Sequence, residues 1–228
     1  MKPRYKRIEA VQAMLIAIVA ALILRQFVVA AYKIPTSSME DTLLVGDFLL
    51  VNKFVYGAKS PDWIGIPFTQ EKDWIIPTGF QLPEALQFRF PAVTPPKPND
   101  IIVFNPPRTP QLDFIKRCIA IGGQEVEIRE KTVFVDNEAF PAPPGSKHTS
   151  SGFSQNSPSF GPLKIESDQF FMMGDNRDNS SDSREWGTVP ANNIIGKPLI
   201  IYLSLADKFS TSGILDKIRW GRLGMVVR

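Results

Sequence analysis

Asp113-Phe114-Ile115-Lys116-Arg117-Cys118-Ile119-Ala120 is the stretch whose reading decides this fold. Taken as a β-strand, its period of two puts Phe114, Lys116, Cys118 and Ala120 on one face, so Lys116 points with apolar neighbours. An ammonium buried that way loses its hydration. It either pairs with a carboxylate or gives up its proton and becomes a base. Outward from this strand, short apolar runs bounded by turn residues recur at 47–55, 101–104, 125–129, 132–136, 169–173 and 195–203, and the strand itself spans 113–121. Asp136-Asn137 supplies a turn after one of them. Twenty prolines, all but Pro3 beyond residue 34, argue against long helices. The expected class is mainly β, an all-β domain over residues 32–228.

The N-terminus is built differently. Lys2, Arg4, Lys6 and Arg7 precede an apolar run, Ala13 to Leu24, extended past Arg25-Gln26 by Phe27-Val28-Val29-Ala30-Ala31. With Arg25 snorkelling to the outer interface, residues 8–31 are long enough to cross a bilayer as one tilted helix. The basic tail, residues 1–7, then lies in the cytoplasm and the β-domain outside it. The competing reading is a cleavable targeting peptide, since Val29-x-Ala31 resembles a small-residue cleavage site. An uncleaved single-pass anchor in the plasma (inner) membrane is the expectation. Between the strands, residues 57–98 form an irregular insertion rich in aromatic residues (Trp63, Phe68, Trp74, Phe80, Phe88, Phe90), either a packed surface loop or a rim touching the membrane. Residues 141–162, rich in Pro, Ser and Gly, read as a flexible loop.

Charge excludes one class of partner. The chain has 26 basic and 23 acidic residues, and without the four N-terminal basic residues the balance is 22 against 23. The basic pI therefore reflects membrane topology and not a nucleic-acid face. A small C-terminal cluster, Lys217, Arg219, Arg222 and Arg228, reads as the solvated end of a domain. The single Cys118 rules out an internal disulfide, so an extracytoplasmic domain must be held by its core.

Chemistry narrows by exclusion. The one imidazole, His148, sits in a polar loop, which leaves no Ser-His-Asp triad. One histidine and one cysteine build no ordinary zinc site. The acidic run Asp175 to Asp182 fails as a calcium loop, because the twelfth position is Trp186 counted from Asp175 and Val189 counted from Asp178. Neither G-x-S-x-G nor S-x-x-K occurs. A Ser/Lys dyad that needs no cofactor and no metal remains. Ser38, in Pro35-Thr36-Ser37-Ser38-Met39, lies a few residues beyond the apolar segment, at the membrane surface. From the local pattern alone, Thr36, Ser37 or Ser38 could equally cap a short helix with Glu40 and Asp41 in its first turn. Lys53 is a rival base, because alternation from Asp47 groups it with Leu49, Val51 and Val55, and periodicity does not choose between Lys53 and Lys116.

Four motifs in order do choose. Ile34-Pro-Thr-Ser-Ser-Met-Glu-Asp-Thr-Leu43, Gly46-Asp-Phe-Leu-Leu-Val-Asn-Lys53, Asp113-Phe-Ile-Lys-Arg117 and Gly174-Asp-Asn-Arg-Asp-Asn-Ser-Ser-Asp-Ser-Arg184 resemble type I signal peptidase, also called leader peptidase. The resemblance runs from the anchor to about Tyr202, and Ile218-Arg219-Trp220 is also similar to the family's ending. It implies a β catalytic domain of the signal peptidase type behind the anchor. It makes Ser38 the nucleophile and Lys116 the general base, with Ser180 orienting the lysine. Thr36 matches the hydroxyl that joins the Ser38 N–H in the oxyanion hole, and Asp182 and Arg184 match a pair that props the site from behind. Lys53 is then structural. The stretch from Lys116 to Gly174 is shorter than in the large Gram-negative members, which leaves their second β-domain unsupported, and the insertion at 57–98 is longer than expected.

The activity so implied is a membrane-bound serine endopeptidase that removes N-terminal signal peptides from exported precursors after small residues at P1 and P3. The precursor lies as an extended strand beside Ile34 and Pro35. Neutral Lys116 takes the Ser38 proton. A lysine with a pKa near 10.4 is neutral about once in 2,500 at pH 7, and one near 8 about once in ten, so burial matters to rate. Expected partners are signal-peptide-bearing precursors and membrane lipids, with no nucleic acid, and the chain is expected to act as a monomer. The alternatives are a membrane-anchored β-domain that binds extracytoplasmic partners without chemistry, and a self-cleaving Ser/Lys peptidase.

Overall fold

A computed structural model describes residues 3–61, 63–65, 79–146, 159–206 and 214–228. Helix α1 (Pro3–Phe27) contains a 20-residue stretch, Ile8–Phe27, long and apolar enough to cross a membrane. In chain order there follow β1 (Val29–Lys33), β2 (Asp47–Asn52), β3 (Trp63–Gly65), β4 (Gly79–Gln81), β5 (Ile101–Phe104), β6 (Phe114–Ile121), β7 (Glu125–Arg129), β8 (Thr132–Val135), β9 (Glu138–Ala139), β10 (Phe160–Lys164), β11 (Gln169–Met173), the short helix α2 (Ser183–Trp186), β12 (Val189–Pro190) and β13 (Ile194–Ser204). The class is mainly β, as the sequence implies.

The main sheet is antiparallel, with order β1-β2-β13-β5-β6-β11-β12. Its longest strand is the 11-residue β13, which pairs with β5 through Ile194 and Gly196 and with β2 from Lys197 to Ser204. Register shifts at 194/196, 198/200 and 201/203 bend it. Bulges increase local twist, so a strand shared in this way curls the sheet and brings the start of β6 back toward the end of β1. A core cluster lies under that approach, with Ile34, Met39, Leu43, Leu49, Val103 and Ile201 among its members.

Several sequence expectations change here. Val29–Lys33, whose first three residues the sequence assigns to the 8–31 anchor, forms β1 because Phe48–Asn52 offers it a complete ladder, Val29 opposite Asn52 to Lys33 opposite Phe48. β2 stops at Asn52, so Lys53 is not on the strand. Part of the supposed loop 141–162 is strand, since β10 starts at Phe160 and pairs with β7; residues 147–158, His148 among them, lie outside the described residues. A separate four-stranded sheet, β10-β7-β8-β9, lies between Lys116 and Gly174; its β7 and β8 match the expected strands 125–129 and 132–136, while β9 and β10 do not follow from the sequence. Its Val126, Ile128 and Val133 pack on Ile119, Ala120, Phe171 and Met173 of the main sheet. This packing also breaks the simple alternation read for β6. Phe114 and Cys118 face one cluster as expected, but Ala120 joins Ile119 in the other, where the register of β11 slips between Phe171 and Met172.

Candidate active site

Ser38 sits where the chain leaves β1. No helix follows it. Glu40 N–H donates to the Ser37 carbonyl at 3.0 Å and Leu43 N–H to the Met39 carbonyl at 2.7 Å, but Asp41 adopts φ 74° and the segment stays a chain of turns. The capping reading of Thr36 to Ser38 therefore does not describe this segment. The flanking side chains Ile34, Met39 and Leu43 are buried in the core cluster, which anchors the turn on both sides of Ser38.

Lys116 enters from β6, where it stands opposite Ile102 of β5. Its Nζ lies 2.6 Å from Ser38 Oγ and 5.4 Å from the centre of the Phe114 ring. Ser38 is 9% exposed and Lys116 4%. Burial is the largest influence on the amine and pushes its pKa down to about 8, helped by the Arg184 cation and opposed by the Asp182 and Asp175 carboxylates. Thr36 Oγ1 is 3.5 Å from Ser38 Oγ, on the exposed side of the turn. A second contact ties the same two segments together, because the Tyr32 hydroxyl hydrogen-bonds Asp113 at the head of β6. Lys53, the rival base, directs its charge to that Asp113 carboxyl.

The loop from Gly174 to Asp182 closes the site from behind. Asn176 N–H donates to the Ser38 carbonyl at 3.0 Å, its side chain to the Ser37 carbonyl at 3.2 Å, and the Asn179 side chain to Ser37 Oγ at 2.9 Å. Asp182, fully buried, accepts from Gly174 N–H at 3.1 Å and from two nitrogens of Arg184 at 2.8 and 2.7 Å. Arg184 in turn donates to the Arg177 carbonyl at 2.6 Å, so the pair fixes both limbs of the loop. Ser180 is buried against Gly174. A methyl group placed on Gly174 would fall 2.2 Å from Ser180 Oγ and 2.6 Å from the Ser38 carbonyl oxygen. The absence of a side chain at 174 is what lets the Ser180 loop close on the Ser38 turn.

Three supports carry no role in the sequence reading. Arg117, next to Lys116 but on the other face of β6, makes a buried two-pronged pair with Asp175 at 2.9 and 2.7 Å, and Thr42 Oγ1 donates to the same carboxylate at 2.6 Å. Gly174 is the second. The third is buried Asp47, which binds Arg222 at 3.1 and 2.6 Å and Ser204 Oγ at 2.6 Å, while Arg219 donates to Ser204 Oγ and to the Val45 carbonyl. Arg219 and Arg222 are thus structural, not the solvated end of a domain. Each of the side chains in these pairings except that of Ser204 falls in a stretch quoted above or in the C-terminal cluster. Their pairing joins positions as far as 175 residues apart, which no local pattern reveals.

The family described as signal peptidase, peptidase S26, matches residues 7–203. Signal peptidase I of Pseudomonas aeruginosa is 33% identical over 218 residues, covering 82% of this chain and 69% of that protein. Signal peptidase I of Aquifex aeolicus is 32% identical over 247 residues, with 82% and 80% covered. The probable signal peptidase I-1 of a Synechocystis species is 32% identical over 223 residues, with 95% and 86% covered.

Proposed function

The chain belongs to the signal peptidase family of S26 peptidases, and we propose that it removes signal peptides from exported precursors as a single-pass membrane serine endopeptidase, with Ser38 as nucleophile and Lys116 as general base. The observation that carries this reading is the 2.6 Å approach of Lys116 Nζ to Ser38 Oγ at a site where burial lowers the lysine pKa to about 8. In the neutral form the amine lone pair accepts the hydroxyl proton, Oγ attacks the scissile carbonyl, and the oxyanion is held by the Ser38 N–H and the Thr36 hydroxyl. Lys116 then returns its proton to the leaving amine and afterwards takes one from the water that releases the acyl-enzyme. Ser180 orients Lys116, and Asp182 with Arg184 holds the loop that carries Ser180.

The precursor's cleavage region binds as an extended strand. β1 is an edge of the main sheet, and residues 114–116 of β6 have no ladder partner on the side away from β5 among the described residues, since β11 pairs only with residues 117–121. Two open edges meeting at Ser38 favour backbone pairing, with small side chains at P1 and P3 facing the sheet. The basic tail sets α1 with its N-terminus in the cytoplasm and the β-domain outside. Cleavage of a model precursor by purified wild type, Ser38→Ala and Lys116→Ala tests the dyad. Both variants should be inactive and folded. Cleavage by Lys116→Ala at the wild-type rate would refute the assignment.

A further inference from the structure

The second sheet touches the candidate site at two places, and one of them is built against the preference of its own backbone. β7 and β8 are joined by the two-residue turn Glu130-Lys131, with Arg129 paired to Thr132. Both turn residues are left-handed, with φ 48° and 69°. The turn from β8 to β9 has the same form, with Val135 paired to Glu138 and φ 53° and 65° at its centre. There the chain places Asp136-Asn137, residues that tolerate this backbone. Glutamate and lysine lack that tolerance, and hairpin turns of this kind favour Asn-Gly. A residue that works against its own turn is expected where its side chain serves something else. Lys131 Nζ lies 3.5 Å from Asp178 Oδ2, in the loop that closes the site from behind.

Asp178 is buried and stands between two grips of that loop, Arg177, whose carbonyl Arg184 holds, and Asn179, whose side chain donates to Ser37 Oγ. Ser180 follows, packed against Gly174. The second contact lies beyond β9. Ser146 N–H donates to the Pro143 carbonyl at 2.9 Å and closes a turn with Gly145 at φ 89°. A methyl group on Gly145 would fall 2.6 Å from Thr42 Oγ1, so this turn lies against the segment just past Ser38. We propose that the second sheet is a positioning element of the site and that Lys131 is its positioning residue, acting through Asp178 to set where Asn179 and Ser180 stand over the Ser38–Lys116 pair. The inference rests on the reading of that pair as the catalytic dyad. Val126, Ile128 and Val133 pack on the main sheet, which gives the tether a firm base. A half-exposed lysine adds little to stability. Its effect on rate is larger, because a fraction of an ångström at the loop reaches the reacting groups.

The test sets stability and rate against each other in the full chain. Lys131→Gly removes the ammonium and gives the turn a residue suited to its φ. Its Tm should hold or rise, while kcat on a model precursor, measured well below Tm, falls about three- to tenfold with KM little changed. Lys131→Arg keeps a cation and should restore most of kcat. Glu130→Asn eases the other turn position, leaves Lys131 in place, and should raise Tm at unchanged kcat. Added to Asp178→Asn, Lys131→Gly should cost almost nothing further, since the two act as one unit. A wild-type kcat in Lys131→Gly would overturn the proposal. A loss that Lys131→Arg repeats in full, or that adds undiminished to that of Asp178→Asn, would overturn it as well, and a Tm that falls in step with kcat would make Lys131 a structural residue only. Ser38→Ala, assayed beside them, separates the two readings. Cleavage there at the wild-type rate removes the dyad and the tether with it, whereas an inactive Ser38→Ala beside a fully active Lys131→Gly leaves the dyad standing and refutes the tether alone.

Discussion

Replacing Gly174 by alanine puts a methyl group in place of a hydrogen where there is no room. The new Cβ would stand 2.6 Å from both Ser180 Cβ and the Ser38 carbonyl oxygen and 2.2 Å from Ser180 Oγ. A rotamer change could move the hydroxyl, but the Cβ and the carbonyl are fixed to their backbones. Real contacts of this kind stay above 3.0 Å, so the loop and the Ser38 turn must separate by at least about 0.4 Å. The Asn176 N–H bond to the Ser38 carbonyl, now 3.0 Å, would stretch toward the limit of a useful hydrogen bond. Overpacking of this kind costs about 1–3 kcal/mol, which lowers Tm by a few degrees in a chain of this size. The catalytic loss should be larger, because a shift approaching 1 Å costs on the order of 100-fold. We expect kcat/KM to fall about 10- to 100-fold, measured on a model precursor well below the Tm of the variant. Gly221→Ala, where an added methyl meets nothing within 4 Å, is the control and should be neutral. A Gly174→Ala enzyme within twofold of wild type would refute the close-approach argument.

Below pH about 8, kcat/KM should rise about tenfold per pH unit and then level off, because in the proposed mechanism only neutral Lys116 accepts the Ser38 proton. Arg184→Met should move that midpoint upward, since it removes a cation that lowers the lysine pKa and leaves the Asp182 carboxylate to raise it; an unchanged or lower midpoint would contradict the electrostatic picture. Ser180→Ala should reduce kcat with little change in KM and add almost nothing to Lys116→Ala, whereas a raised KM at constant kcat would make Ser180 a substrate contact. Lys53→Ala should keep the acid limb of the pH profile where it is, since its charge faces Asp113, and a displaced limb would reopen its candidacy as base. Arg222→Leu should destabilise the fold by about 3–5 kcal/mol by leaving buried Asp47 short of its main cation, which denaturant unfolding measures directly.

The same burial has a stability cost with a definite sign. The native pKa of Lys116 lies below that of an unfolded lysine, so the unfolded chain binds the proton more tightly. The penalty is full below pH about 8 and fades as the pH rises toward 10.

What could be read in the sequence was what depends on neighbours along the chain. The run around Lys116 alternates, is bounded by Asp113 and the Gly122-Gly123 turn, and so was legible as a strand with a misplaced charge. The Ser38 motif was legible only through resemblance, since its local pattern equally suits a helix cap. β1 was misread because Val28 to Ala31 is as apolar as a helix end, and its ladder partner β2 lies beyond an intervening turn. Gly174 gave no signal of its role because its contribution is a missing atom. Asp47 and Arg222 were unreadable as a pair because the contact forms only after the sheet curls.

The spacing of the parts has a consequence during synthesis. Ser38 meets a base 78 residues later in the chain, and the loop that holds its carbonyl ends at Asp182. At about 5–20 residues per second, something like 7–30 seconds pass between the translation of Ser38 and that of Asp182. Throughout that interval the Ser38 hydroxyl has no dry amine beside it and no clamp on its backbone. Helix α1 is complete before any of these contacts can form. A half-made chain therefore has no assembled Ser38–Lys116 pair with which to act on anything, itself included.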